Sequence, residues 1–141
     1  GGTWPAIWAV GSKGYWPGCG EIDIMEQWGN DTNIGGNFHV KMWEEVKDLI
    51  LWFWPTDPFT TFHNYQLLWT PTRLTVMVDG SVVNTYDKDL TLTGTASHDQ
   101  WPFDDPQYLI LNLALSGNVP IDETIFPRDF QIDYVRVYQQ N

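Results

Sequence analysis

Basic residues are scarce in this chain: seven Lys and Arg stand against eighteen Asp and Glu, a formal charge of −11 over 141 residues. A surface so poor in cations is unsuited to neutralising a phosphate backbone, so no nucleic acid partner is expected. Cysteine is almost missing as well, and a lone Cys19 excludes an internal disulfide framework. Between Gly18 and Gly20 it reads as a small buried thiol. No stretch approaches the roughly 20 apolar residues of a membrane span, so no membrane partner is expected either. A basic-then-apolar leader is also lacking, which leaves either a signal peptide already removed or none at all. The sequon Asn30-Asp31-Thr32 is compatible with secretion. Convincing helical periodicity is absent too.

What the chain has instead is aromatic surface. Nine Trp, six Tyr and seven Phe make up 16% of the residues, while charged residues are only 18%. Each large ring can bury about 150–250 Å², enough to exclude disorder. Such a composition serves an aromatic core, a surface that stacks flat ligands or sugar rings, or both. The length suits one domain, residues 1–141. Asn37–Trp43 alternates apolar and polar residues at the strand period, and Leu49–Trp54 is a short apolar run stopped by Pro55. Trp52 and Trp54 on that run read as core. Arg73–Val78 and Ser81–Tyr86 flank Asp79-Gly80, a pair that tolerates the positive φ angles of a type I′ hairpin. Gln107–Leu115 and Phe130–Tyr138 read as further strands. Eight or so short strands joined by Gly- and Pro-rich gaps predict an all-β fold, an antiparallel β-sandwich of the jelly-roll kind.

The chemistry concentrates in Gly20–Gly29, GEIDIMEQWG. On a regular strand Glu21 and Asp23 share a face with Met25, and Glu26 points the other way. A one-residue bulge near Ile24–Met25 would bring Glu21, Asp23 and Glu26 to one face and leave the apolar residues beneath. The two Glu Cα atoms would then lie about four strand steps apart, roughly 13 Å. Inward-reaching side chains could bring their carboxyls to roughly 5–6 Å, the spacing of a retaining glycosidase. In that chemistry one carboxylate attacks the anomeric carbon while the other protonates the leaving oxygen. The charge of Asp23 between them would raise a neighbour's pKa. The pattern is also open to a solvated acidic face, or to Ca²⁺, although a strand does not wrap an ion as a loop does.

GEIDIME resembles the catalytic signature of glycoside hydrolase family 16 in its bulged, laminarinase-like form. Other blocks follow in family order: Gly2–Trp8 (GTWPAIW), Trp69-Thr70-Pro71 through Val78-Asp79-Gly80, Trp101–Asp104 with Leu109–Ala114 (LILNLA), Phe126-Pro127, and Ile132–Gln139. The resemblance implies a secreted, retaining endo-β-1,3-glucanase acting on laminarin-like or mixed β-1,3/1,4-glucans. Glu21 would be its nucleophile, Asp23 an electrostatic helper and Glu26 the general acid/base. It also implies that Trp4, Trp8 and Trp16 line the sugar cleft and that His39 lies near it. Activity would then need Glu21 ionised and Glu26 protonated, with a bell-shaped optimum on the acidic to neutral side.

Some features depart from the family. The GTWPAIW block falls near the middle of full-length members, so this chain is expected to correspond to the C-terminal portion of the domain. A partner for open sheet edges, either an N-terminal half chain or a second copy, is expected in consequence. No cofactor is expected to be required. A family calcium site would retain only Asp133 of its ligands. Leu115-Ser116-Gly117 stands where the family usually has a Gly pair. The competing functions are a non-catalytic β-glucan-binding module, which in the family loses the catalytic Glu residues, and an inactive fragment.

Overall fold

The computed structural model describes residues 1–29, 31–43, 51–53, 57–117 and 119–140. Its strands are β1 (Thr3–Gly11), β2 (Glu21–Glu26), β3 (Ile34–His39), β4 (Leu51–Phe53), β5 (Tyr65–Trp69), β6 (Arg73–Val78), β7 (Ser81–Asp87) and β8 (Gln107–Leu115). One helix, α1 (Gly94–Gln100), lies between β7 and β8. The strands form a five-stranded sheet in the order β4-β3-β2-β1-β8 and a three-stranded sheet β5-β6-β7, with antiparallel neighbours throughout. The smaller sheet packs over β2, β3 and β4. This is the antiparallel sandwich that the strand pattern predicts.

Between the sheets lie Ile22, Ile24, Phe38, Leu74, Val76 and Tyr86, capped by Trp101 and Phe103. Tyr86 stacks on Trp101 at 5.8 Å and 8°, and Trp101 meets Phe103 edge-on. A buried polar tie crosses between the sheets: the Asn84 amide donates to the Gly36 carbonyl at 3.0 Å. The β6–β7 hairpin turns at Asp79 (φ 50°) and Gly80 (φ 80°), the two positive φ angles expected of Asp-Gly. Cys19 is buried. β8 spans the residues expected of it.

Other expectations need correction. Asn37–Trp43 is not one strand: β3 begins at Ile34 and ends at His39, and Lys41–Trp43 is a 3₁₀ turn. All of β3 but His39 is buried, so its first half carries no polar alternation to read. In Leu49–Trp54 the strand is Leu51–Phe53; Leu49, Ile50 and Trp54 lie outside the described residues, as does the sequon's Asn30. α1 went unexpected because GTASHDQ has no apolar stripe. Tertiary bonds hold it: Gln100 donates to the Tyr86 hydroxyl at 2.9 Å and to the Asp87 carbonyl at 2.8 Å.

Phe130–Tyr138 is not a strand, and its side chains are exposed or nearly so. Period-two alternation tells which face a strand would bury, but a strand also needs a neighbour to complete its ladder. Among the described residues none pairs with this segment. A related consequence appears on β8. Leu109 and Leu111 lie across from Ala9 and Ile7, on the core-facing side of the sheet, with Leu113 and Leu115 further along the same row. All four remain 37–54% exposed because the smaller sheet does not reach β8.

Candidate active site

The opposite face of the larger sheet holds the acids. Along β1, Val10, Trp8 and Ala6 oppose Glu21, Asp23 and Glu26, so two residues of β1 from Trp8 to Ala6 match three of β2 from Asp23 to Glu26. The β2–β3 ladder slips at the same place, with Asp23 opposite Asn37 and Glu26 opposite Gly35. The bulge therefore lies at Ile24–Met25, as the sequence pattern requires. Ile22 and Ile24 reach the core while all three carboxyls share the other face. Glycine opposite Glu26 leaves room beside its carboxyl. Gly20 sets where the strand begins: its φ is +80°, and a Cβ there would lie 2.6 Å from Pro102 and 2.9 Å from Phe103.

Glu21 and Glu26 line one open cleft of about 530 Å³, with Trp4, Trp8, Ile110 and Asn112 among its walls. Trp8 is thus a cleft residue and not a core one. Its indole N–H donates to Asn112 Oδ1 at 2.7 Å, which fixes the plane of its ring. Trp4 donates to Glu26 Oε1 at 3.0 Å, and Trp28 donates to the same oxygen at 3.4 Å. His39 Nε2 lies 3.1 Å from Asp23 Oδ2 and 3.6 Å from Glu21 Oε1. The Asn37 amide nitrogen is 2.9 Å from the same Nε2, while Asn37 Oδ1 accepts from the Phe38 N–H. Trp16 sits at the Glu21 end, its ring 5.7 Å from that of His39.

Burial dominates the electrostatics. It pushes Glu21 from its ordinary 4.5 up to about 7, helped by the charge of Asp23 and opposed by His39 and a hydrogen bond from Trp16. Asp23, only 1% exposed, is pushed by burial to about 6, with the His39 hydrogen bond opposing. Glu26 is raised by burial against the donors on Trp4 and Trp28, with a further push from the charge of Glu21. His39 is raised chiefly by its bond to Asp23. Carboxyls packed this closely oppose each other's ionisation, so one can be ionised while another holds its proton.

Glu21, Asp23 and His39 also bring possible metal-ligand atoms within 4.8 Å of one another. His39 already caps the two acids, and three ligands fall short of the six to eight oxygens that calcium takes. Asp133 lies on the exposed 126–138 segment and joins no group of three such side chains among the described residues. The residues present there do not fit a calcium site. Sequence reasoning missed Trp28, Asn37 and Asn112. Asn37 was legible in principle, since it shares a strand face with His39 two residues on. Asn112 was not, being 104 residues from the ring it holds.

The profile of glycosyl hydrolases family 16 matches residues 1–136. A beta-glucanase of Rhodothermus marinus is 35% identical over 150 residues, 98% of this chain and 52% of that protein. The keratan-sulfate endo-1,4-beta-galactosidase of Sphingobacterium multivorum is 35% identical over 145 residues, 98% of this chain and 33% of that one. A solved non-specific endo-β-1,3(4)-glucanase, co-crystallised with 1,3-β-D-cellobiosyl-cellobiose, superposes with a TM-score of 0.78 at 42% identity. That match covers 89% of this chain and 49% of the other. The chain spans about half the length of the β-glucanases it matches.

Proposed function

The chain belongs to glycosyl hydrolase family 16, and from that membership we propose that it acts as a retaining endo-glycosidase on β-1,3-glucan, including mixed β-1,3/1,4-linked chains. The observation that carries the reading is the bulge at Ile24–Met25, which turns Glu21 and Glu26 into one Trp-walled cleft. In this reading ionised Glu21 attacks the anomeric carbon while Glu26 gives its proton to the departing glycosidic oxygen. Glu26 then takes a proton from the water that releases the glycosyl group from Glu21. Asp23, held by His39, tunes Glu21. Trp4 and Trp8 offer flat apolar platforms to pyranose rings, which are apolar on their faces and polar at their rims.

Among the described residues neither Lys nor Arg lines the cleft, and two acids do. Two carboxylates there disfavour a sulfated chain, which supports a neutral glucan. The proposed reaction needs no metal. Its substrate is an extracellular polysaccharide, so secretion belongs to the same reading. So does a partner for β8: its exposed leucine row, and an edge that no described strand pairs with, support pairing with an N-terminal half chain or a second copy, which sedimentation would detect.

The test is reducing-end release from laminarin by the parent chain, Glu21→Gln and Glu26→Gln, with the anomer of the first product read by NMR. The parent should release β-anomers, and each variant should lose at least about 100-fold. Activity should also fall toward acid pH as Glu21 takes up its proton and toward alkaline pH as Glu26 loses its own. Laminarin binding without hydrolysis by the parent would make the chain a β-glucan-binding module. Equal rates for parent and variants would refute the residue assignment.

A further inference from the structure

A second cavity, of about 380 Å³, lies beyond Trp16, between the β1–β2 loop, the turn after β3 and α1. Lys13, Tyr15, Trp16, Lys41, His98 and Asp99 line it. Two large rings stand in solvent here, Tyr15 at 92% exposure and Trp16 at 58%. The loop that carries them is nonetheless held in place. Cys19 N–H donates to the Tyr15 carbonyl, Gly20 N–H to that of Pro17 and Gly11 N–H to that of Gly20, each at 3.0 Å. The rings are therefore presented on a pinned backbone.

The polar wall is built from matched charges. Lys41 pairs with Asp99 at 3.3 Å, and Lys13 and His98 both face Asp105, at 2.8 and 3.4 Å. Among the described residues that line the cavity, an anion would find no unopposed cation. An ammonium has three donors and a carboxylate about four acceptor sites, so each pair keeps capacity for hydroxyls. Flat apolar rings edged by donors and acceptors suit a neutral sugar. Trp16 is the shared wall between this cavity and the acids: it lines the cavity and lies 5.7 Å from the ring of His39, which itself lies 3.6 Å from Glu21.

We propose that this cavity is a remote glycosyl subsite, in which Tyr15 stacks on an outer, neutral sugar of the same polysaccharide chain that runs past Glu21. The proposal rests on the glucanase reading above, and its test is a binding measurement that needs no turnover. The Glu26→Gln chain, which holds substrate uncut, is titrated calorimetrically with β-1,3-linked glucose oligomers of increasing length, with and without Tyr15→Ala. Affinity should step up at the length that first reaches the cavity. Tyr15→Ala should erase that step, a loss of roughly 3- to 10-fold, and leave shorter oligomers unaffected. Lys41→Ala should reduce the same step.

A step that survives Tyr15→Ala, an equal loss at every length, or no binding at any length would overturn the proposal. So would a second binding event per chain, the mark of an independent surface site, or tighter binding of sulfated than of neutral oligomers. Circular dichroism checks that the variants are folded. If laminarin is bound but never cut, the glucanase reading fails while the length step still decides the subsite.

Discussion

Replacing Asp23 by Asn should make the protein more stable at neutral pH while impairing its chemistry. The carboxyl is 1% exposed, and burial lifts it from an ordinary 3.8 to about 6 although His39 pulls the other way. The unfolded chain therefore releases this proton more readily than the folded one. Between about pH 4 and pH 6 the unfolded state gains ionisation that the fold resists, so stability is lost as pH rises through that window. Each pH unit of difference is worth about 1.4 kcal/mol, and the full cost above pH 6 is ~3 kcal/mol. Asparagine mimics the protonated form at every pH. The variant should thus gain ~3 kcal/mol at pH 8, or about 6–12 °C in Tm, and nothing below pH 4. Urea unfolding followed by tryptophan fluorescence at pH 4 and pH 8 measures this, alongside laminarin hydrolysis, which should fall. A gain of equal size at both pH values would show that shape, not ionisation, is responsible. A variant less stable than the parent at pH 8 would refute the electrostatic reasoning outright.

Other perturbations probe neighbouring parts of the site. Trp4→Phe removes an N–H donor that favours ionised Glu26, so Glu26 should hold its proton to higher pH. The alkaline limb of the kcat/KM profile should then move up by about one pH unit, a displacement that lost sugar stacking alone would not cause. Gly20→Ala puts a Cβ 2.6 Å from Pro102 at a φ of +80°; thermal unfolding should show a loss of roughly 1–3 kcal/mol, and activity should drop because Glu21 follows directly. Deleting Met25 removes the bulge and leaves a regular strand in which Glu21, Asp23 and Glu26 still alternate onto one face. Activity should therefore be reduced but measurable in the folded variant, and its complete loss would show that the bulge sets the spacing of the two Glu residues as well as their side.

Much of this protein was legible from local rules. Strand period, turn chemistry and one misplaced apolar residue were enough to read the sandwich, the Asp79-Gly80 hairpin, the limits of β8 and the bulge at Ile24–Met25. Those features depend on residues a few positions apart, whose side-chain directions follow from the backbone. Four tryptophans illustrate the limit. Composition says only that rings must be buried or used, whereas Trp8 is held by Asn112, Trp4 and Trp28 converge on one oxygen of Glu26, and Trp16 walls a second cavity. The same holds for α1, which exists through Gln100, and for Phe130–Tyr138, whose alternating pattern finds no neighbouring strand. The sequence by itself determined that three acids share one face of a sheet. Only the tertiary structure decided how deeply each is buried and which donor meets it, because desolvation and hydrogen-bond partners come from strands far apart along the chain, and these set which acid keeps its proton.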